Sequence, residues 1–153
     1  MKKTRLPILL VEDSDDDVLL MERALRETGI ANPLHRVASG QEAIDYLSGI
    51  GPFADRENFP LPCMVLLDLQ LPFKNGIEVL QWIRSQPALQ TLIVIVLTSS
   101  AHRKDVTAAY AMGARSYLVK PATARQLTEL VEALKVYWIG YNEFAPLIIA
   151  PQE

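Results

Sequence analysis

With 153 residues, 50% of them hydrophobic, the chain is long enough for one domain with a sizeable core and too apolar for a disordered polyelectrolyte. A net charge of −3 and the lack of a basic stripe exclude a dedicated nucleic-acid surface. The single cysteine, Cys63, permits no intrachain disulfide, which fits a reducing compartment. Lys2, Lys3 and Arg5 precede an apolar stretch, as in a secretion signal, but Leu6 to Val11 is too short for one. No apolar run approaches the roughly 18 residues of a membrane span. The expectation is a cytoplasmic protein without a membrane partner.

The first predicted strand is PILLVE (7–12). Ser14 then caps a helix, with Asp17 three residues on; Val18, Met21, Leu25 and Thr28 form its inner stripe and Gly29 ends it. PLHRVAS (33–39) reads as a weaker strand near a sheet edge, and Ser39 precedes a second helix that closes at Gly49. Residues 49–62, with Pro52, Pro60 and Pro62, read as a long loop. CMVLLDL (63–69) is the third strand, with Cys63 as a small buried residue. A helix opens after Asn75–Gly76, carries Ile77, Leu80 and Ile83 at helical spacing, and stops before Pro87. LIVIVLT (92–98) and SYLVK (116–120) complete the strands, and Leu127, Leu130, Val131 and Leu134 mark the last helix. Most of the strands are aliphatic without strict alternation, as strands covered on both faces should be. Strands alternating with helices predict five βα units in one doubly wound parallel α/β sheet. No repeat or second-domain linker interrupts them.

In such a sheet ligands bind outside the carboxyl ends of the strands. The predicted strand ends gather Glu12 and Asp13, then Asp68, then Thr98, Ser99 and Ser100, and finally Lys120 and Pro121. Carboxylates with backbone carbonyls suit a hard divalent cation such as Mg2+, which keeps open positions for phosphate oxygens. Lys120 and Thr98 can take further oxygens of the same phosphoryl group. An ionised Asp beside the cation is a competent nucleophile for phosphoryl transfer, and Asp68, on a central strand, is the best placed. Asp15, Asp16 and Asp17 read more simply as first-turn carboxylates opposing the helix macrodipole.

The motifs LLVEDS, LLDLQLPFKNG, VLTSS and YLVKP, in that order, resemble the receiver domain of two-component response regulators, over residues 6–137. The loop GIGPFADRENFPLP and the YW ending of the last helix are similar to the regulators that partner phytochrome kinases. The resemblance implies a flavodoxin-like (βα)5 fold with strand order 2-1-3-4-5. It implies that Asp68 accepts a phosphoryl group from a histidine kinase phosphohistidine. Asp13 would ligate Mg2+ directly together with Asp68 and the Gln70 carbonyl, and Glu12 through water. Thr98 and Lys120 would bind phosphoryl oxygens, and Tyr117 would follow Thr98 as a switch. The Lys120–Pro121 bond would be cis, and the Gln70 and Ser100 side chains would tune the acyl phosphate's lifetime.

On this reading the chain is a phosphoacceptor that supports its own phosphotransfer and autodephosphorylation rather than an enzyme acting on a separate substrate. Residues 138–153 are too few for a DNA-binding domain, so output is expected through the surface of the fourth helix, fifth strand and fifth helix, onto a downstream protein or phosphotransfer partner. Trp138, Ile139, Tyr141, Phe144, Leu147, Ile148 and Ile149 in this tail either pack on their own domain or join the last helix in a homodimer. Two other functions stay open: a Mg2+-dependent phosphohydrolase, for which Gln70 is a poor general acid, and a constitutive interaction module. His35 and His102 are assigned ordinary core or surface roles.

Overall fold

The computed structural model describes residues 6–147. Lys2, Lys3, Arg5, Ile148 and Ile149 lie outside the described residues. Strands β1 (Ile8–Val11), β2 (Leu34–Val37), β3 (Met64–Leu67), β4 (Ile93–Thr98) and β5 (Ser116–Val119) form one sheet in the order β2-β1-β3-β4-β5, every pairing parallel. Helices α1 (Asp15–Thr28), α2 (Gly40–Ser48), α3 (Gly76–Ser85), α4 (Arg103–Ala111) and α5 (Ala124–Leu134) connect and cover it. This is the expected doubly wound fold. Among the described residues no helix is long and apolar enough to cross a membrane.

The alternation of each strand divides the core in two. Leu9, Val11, Val65, Leu67, Val94 and Val96 face Val79, Leu80 and Ile83 of α3 and Ala109 of α4. Ile8, Leu10, Met64, Leu66, Ile95 and Leu97 face Val18 and Met21 of α1 and Leu127 and Val131 of α5. Each of the Val, Leu, Ile and Met side chains among them contributes about 1.5–3 kcal/mol on full burial. Cys63 is buried against the second of these layers, and burial pushes its thiol up to about 11.

The helix signals act as the sequence predicts. The Ser14, Ser39 and Asn75 side chains accept from backbone amides of the first turns of α1, α2 and α3, and Gly29 and Gly49 end α1 and α2 in the left-handed region. Helix α4 buries only Ala109, so it leaves almost no apolar stripe to read. The loop after α2 is more ordered than its prolines suggest. Its Arg56 guanidinium donates to the carbonyls of Tyr46, Leu47 and Phe59, while Phe53 and Phe59 pack around Tyr46. The Tyr46 hydroxyl in turn donates to Pro60 and meets His35 Nδ1 at 2.7 Å, which gives His35 a packing role.

The last helix does not stop at Tyr137. It widens into a π-helical segment, Lys135–Tyr141, whose Lys135 donates to the Thr28 carbonyl at 2.7 Å. Trp138, Ile139 and Phe144 turn onto the α1–α5 layer, and Leu147 packs on the opposite layer. The chain crosses between them near the start of β4, where the Thr91 hydroxyl donates to Pro146 at 3.4 Å. These four tail residues therefore pack on their own domain, whereas Val136, Tyr137 and Tyr141 are exposed.

The strand order reverses between β1 and β3, which sets the carboxyl ends of those two strands side by side. The loop leaving β3 then folds back sharply, with the Gly76 amide donating to Leu69 at 3.0 Å. A Cβ on Gly76 would collide with the Asp68 carbonyl oxygen and lie 2.6 Å from the Leu69 Cα. Gly76→Ala is therefore expected to lower unfolding free energy by roughly 2 kcal/mol or more, measured by urea denaturation.

Candidate functional site

Glu12 follows β1 and Asp68 follows β3, and both are buried. The Asp68 amide donates to Val11 at 3.1 Å, which ties the two strand ends together. Asp13 stands beside them at the surface, and one carboxylate oxygen from each of Glu12, Asp13 and Asp68 lies within 4.8 Å of the others. Arg36 of β2 fixes the backbone beneath the acidic pair, donating to the carbonyls of Glu12 at 2.8 Å and Asp13 at 3.2 Å. Sequence reasoning assigned Arg36 nothing, because its partners are main-chain carbonyls.

Asp68 is held at both oxygens. Its Oδ1 accepts from the Thr98 hydroxyl at 2.8 Å and from the Gln70 amide at 3.1 Å. Its Oδ2 accepts from Lys120 Nζ at 2.9 Å. Lys120 also meets Glu12 Oε1 at 2.5 Å and Asp17 Oδ2 at 2.8 Å. Sequence reasoning gave Asp17 only a helix-end role. A signal was present, since Asp17 continues the inward row of Met21, Ala24 and Thr28 at helical spacing.

Residues 8–132 match the family model described as the response regulator receiver domain. This chain belongs to that family. Rcp1 of Synechocystis sp., a response regulator, is 37% identical to the receiver over 132 residues, covering 86% of it and 88% of Rcp1. A probable methanogenesis regulatory protein of Methanothrix harundinacea, FilR2, is 38% identical over 135 residues, or 88% and 84% of the two chains. Among solved structures, the response regulator RPA3017 in red light signalling of R. palustris superposes with a TM-score of 0.86 at 35% identity, covering 92% of the receiver and 99% of that chain. The phosphorylated cyanobacterial phytochrome response regulator RcpA superposes at 0.85 with 33% identity, covering 92% and 98%. The Mn(2+)-bound form of Rcp1 superposes at 0.82 with 35% identity, covering 92% and 99%.

The remaining predicted residues lie around this centre in the receiver. The Tyr117 hydroxyl donates to the Ser100 carbonyl at 2.8 Å, and its ring packs partly buried against the core. The Tyr117 amide, on the outer edge of β5, donates to the Tyr110 hydroxyl of α4 at 3.1 Å. Ser100 is buried and donates to Asp105 at 2.5 Å, so its hydroxyl is engaged with α4. Ser99 instead donates to the Gln70 side-chain oxygen at 3.2 Å. The Lys120–Pro121 bond is trans, correcting the expected cis bond; all peptide bonds among the described residues are trans. The trans isomer is the intrinsically favoured one, and Lys120 reaches all its carboxylate partners from it.

Burial raises the Glu12 carboxyl to about 7, with repulsion from Asp68 adding to it and the Lys120 hydrogen bond opposing it. Burial works against the Lys120 charge, but its bonds to Asp17, Glu12 and Asp68 outweigh that and hold the ammonium above its ordinary range. Buried, mutually repelling carboxylates with an exposed third oxygen donor fit a hard divalent cation, which would relieve the repulsion.

Without a cation, Glu12 is protonated in both folded and unfolded chains below about 4.5 and ionised in both above about 7. Between these values the folded protein holds a proton the unfolded chain has released, so the stabilisation present at low pH is lost as pH rises through 7. Glu12→Gln removes this dependence. In EDTA, urea denaturation should show the wild type losing on the order of 1–3 kcal/mol relative to Glu12→Gln between pH 5 and pH 8.

Proposed function

We propose that Asp68 is the phosphoacceptor of a signalling switch that a histidine kinase operates. The supporting observation is the buried Asp68 carboxylate held by the Thr98 hydroxyl, the Gln70 amide and the Lys120 ammonium. These are donors that a phosphoryl group on Asp68 would need. In the transfer an Asp68 oxygen attacks phosphorus, the P–O bond forms as the P–N bond of the donor phosphohistidine breaks, and the imidazole leaves with its electron pair. Asp13, Asp68 and the Gln70 carbonyl would hold Mg2+ directly, and Glu12 through water. A divalent cation held there would supply neutralisation of charge on the transferring phosphoryl oxygens. Lys120 adds a fixed positive charge to the same group.

Loss of the phosphoryl group by water attack returns the free Asp68 carboxylate. Gln70 stands at the rim of this route, and its amide oxygen is occupied by Ser99. Ser100, engaged with Asp105, would reach the same water only after giving up that bond.

Thr98 is the link to the surface. Its hydroxyl leaves Asp68 Oδ1 for a phosphoryl oxygen, and Tyr117 gives up the Ser100 carbonyl to fill the space vacated. That shifts α4, β5 and α5 between two populations. The likeness to RcpA and to RPA3017 favours a phytochrome-type kinase as donor. A protein donor would meet Phe73 on the way in, since its ring stands 91% exposed in the loop after Asp68. The exposed Val136, Tyr137 and Tyr141 supply an apolar face for a homodimer, a downstream protein or a phosphotransfer partner. The reading places the protein in the cytoplasm.

The test is acetyl phosphate with and without Mg2+, on wild type and Asp68→Asn, followed by intact-mass spectrometry and sedimentation. The expected result is one Mg2+-dependent phosphoryl adduct, absent from Asp68→Asn, with a change in sedimentation if the switch drives assembly. Catalytic consumption of the donor without an adduct would overturn the reading in favour of a phosphohydrolase.

A further inference from the structure

We propose that Asp17 is a positioning residue for Lys120, the fixed anchor that keeps the ammonium aimed at Asp68 while its other partners change. The proposal rests on the reading of Asp68 as phosphoacceptor. A lysine ammonium has three N–H donors on a flexible four-carbon stem, so its position is set by what those donors hold. Here the contacts are with Glu12, Asp68 and Asp17, at 2.5, 2.9 and 2.8 Å. Two of these carboxylates belong to the acidic group that would take the cation and the phosphoryl group. Both must redirect oxygens when those arrive. Asp17 has no such second task.

The place of Asp17 in the fold suits an anchor. Its amide donates to the Ser14 hydroxyl at 3.3 Å, which fixes the first turn of α1. One residue on, Val18 is buried against the sheet, and Met21 follows one turn later. The Asp17 carboxylate thus projects from a rigid turn toward the end of β5. Its neighbours are different: Asp15 pairs with Arg36 at 2.9 Å with an 85% exposed side chain, and Asp16 is exposed. Only Asp17 of this acidic turn reaches Lys120. The consequence is that the Lys120 ammonium stays in register as Asp68 passes from carboxylate to acyl phosphate.

The experiment compares wild type, Asp17→Asn, Asp17→Glu and Asp16→Asn. First, 15N spectra of the lysine ammonium groups are taken on metal-free, unphosphorylated protein, with Lys120→Arg used to assign the signal. Wild type and Asp16→Asn should give a slowly exchanging Lys120 signal, Asp17→Asn should lose it, and Asp17→Glu should restore it in part. Second, adduct formation from acetyl phosphate in Mg2+ should slow about tenfold in Asp17→Asn, as expected for a misplaced catalytic group, with a Mg2+ midpoint within about twofold of wild type. A helix-end charge with no positioning role would change neither signal nor rate. An unchanged Lys120 signal, or an unchanged rate, in Asp17→Asn overturns the proposal. A wild type that forms no adduct overturns the phosphoacceptor reading instead, and the ammonium spectra still decide whether Asp17 holds Lys120.

Discussion

One ammonium group holds this site together. Lys120, at the end of β5, joins carboxylates from the end of β1, the first turn of α1 and the end of β3, so three segments distant in sequence (residues 12–17, Asp68 and Lys120) meet at a single charge. Glu12 and Asp68 are both buried, and without that cation between them their repulsion would act in a medium that screens it poorly. The sheet reversal brings the acids together and Lys120 makes their proximity tolerable. Glu12 still keeps its proton to about 7, chiefly because burial disfavours its charge, with repulsion from Asp68 adding to it. A divalent cation at these oxygens would favour the ionised form of Glu12.

Arginines do the corresponding work on the backbone. Arg36 grips the carbonyls of Glu12 and Asp13, and Arg56 those of Tyr46, Leu47 and Phe59. Arg84 donates to Leu89, Gln90, Leu92 and Gly113, pinning the end of α3 to the segments that lead into β4 and β5. A planar guanidinium with five donors suits this, because one side chain can satisfy several carbonyls that loops leave without partners. Arg36 does this at the acidic site, whereas Arg56 and Arg84 hold the segments that lead into β3, β4 and β5 at the opposite edge of the sheet.

Much of the fold was legible because the chain marks its elements locally. Aliphatic runs marked β1, β3 and β4, and Ser14, Ser39, Gly29 and Gly49 stand where their chemistry put the helix ends. Asp68, Thr98, Lys120 and the acidic pair fall together because strand ends in a parallel sheet share one edge. Helix α4 was not legible, since it packs through a single alanine. The trans Lys120–Pro121 bond could not be read from the motif around it. Ser99 was placed at the strand edge without a contact and Asp17 only at a helix end, for a common reason: each bonds to a partner distant in sequence, Gln70 in one case and Lys120 in the other. The tail was half legible. Its apolar residues announced a packing role, but which of them face inward depends on the widened helix at Lys135–Tyr141, which no simple periodicity foretells.

The bond between the Tyr117 amide and the Tyr110 hydroxyl bears on how copies of this chain can meet. An exposed edge strand offers outward amides and carbonyls as a template for another strand. Here an outward amide in the middle of β5 is already answered from α4. A second sheet could extend this one across β5 only by displacing that tyrosine. Association on this side that keeps the bond intact runs through the helix surfaces beside β5, which leaves β2 as the edge open to a further strand.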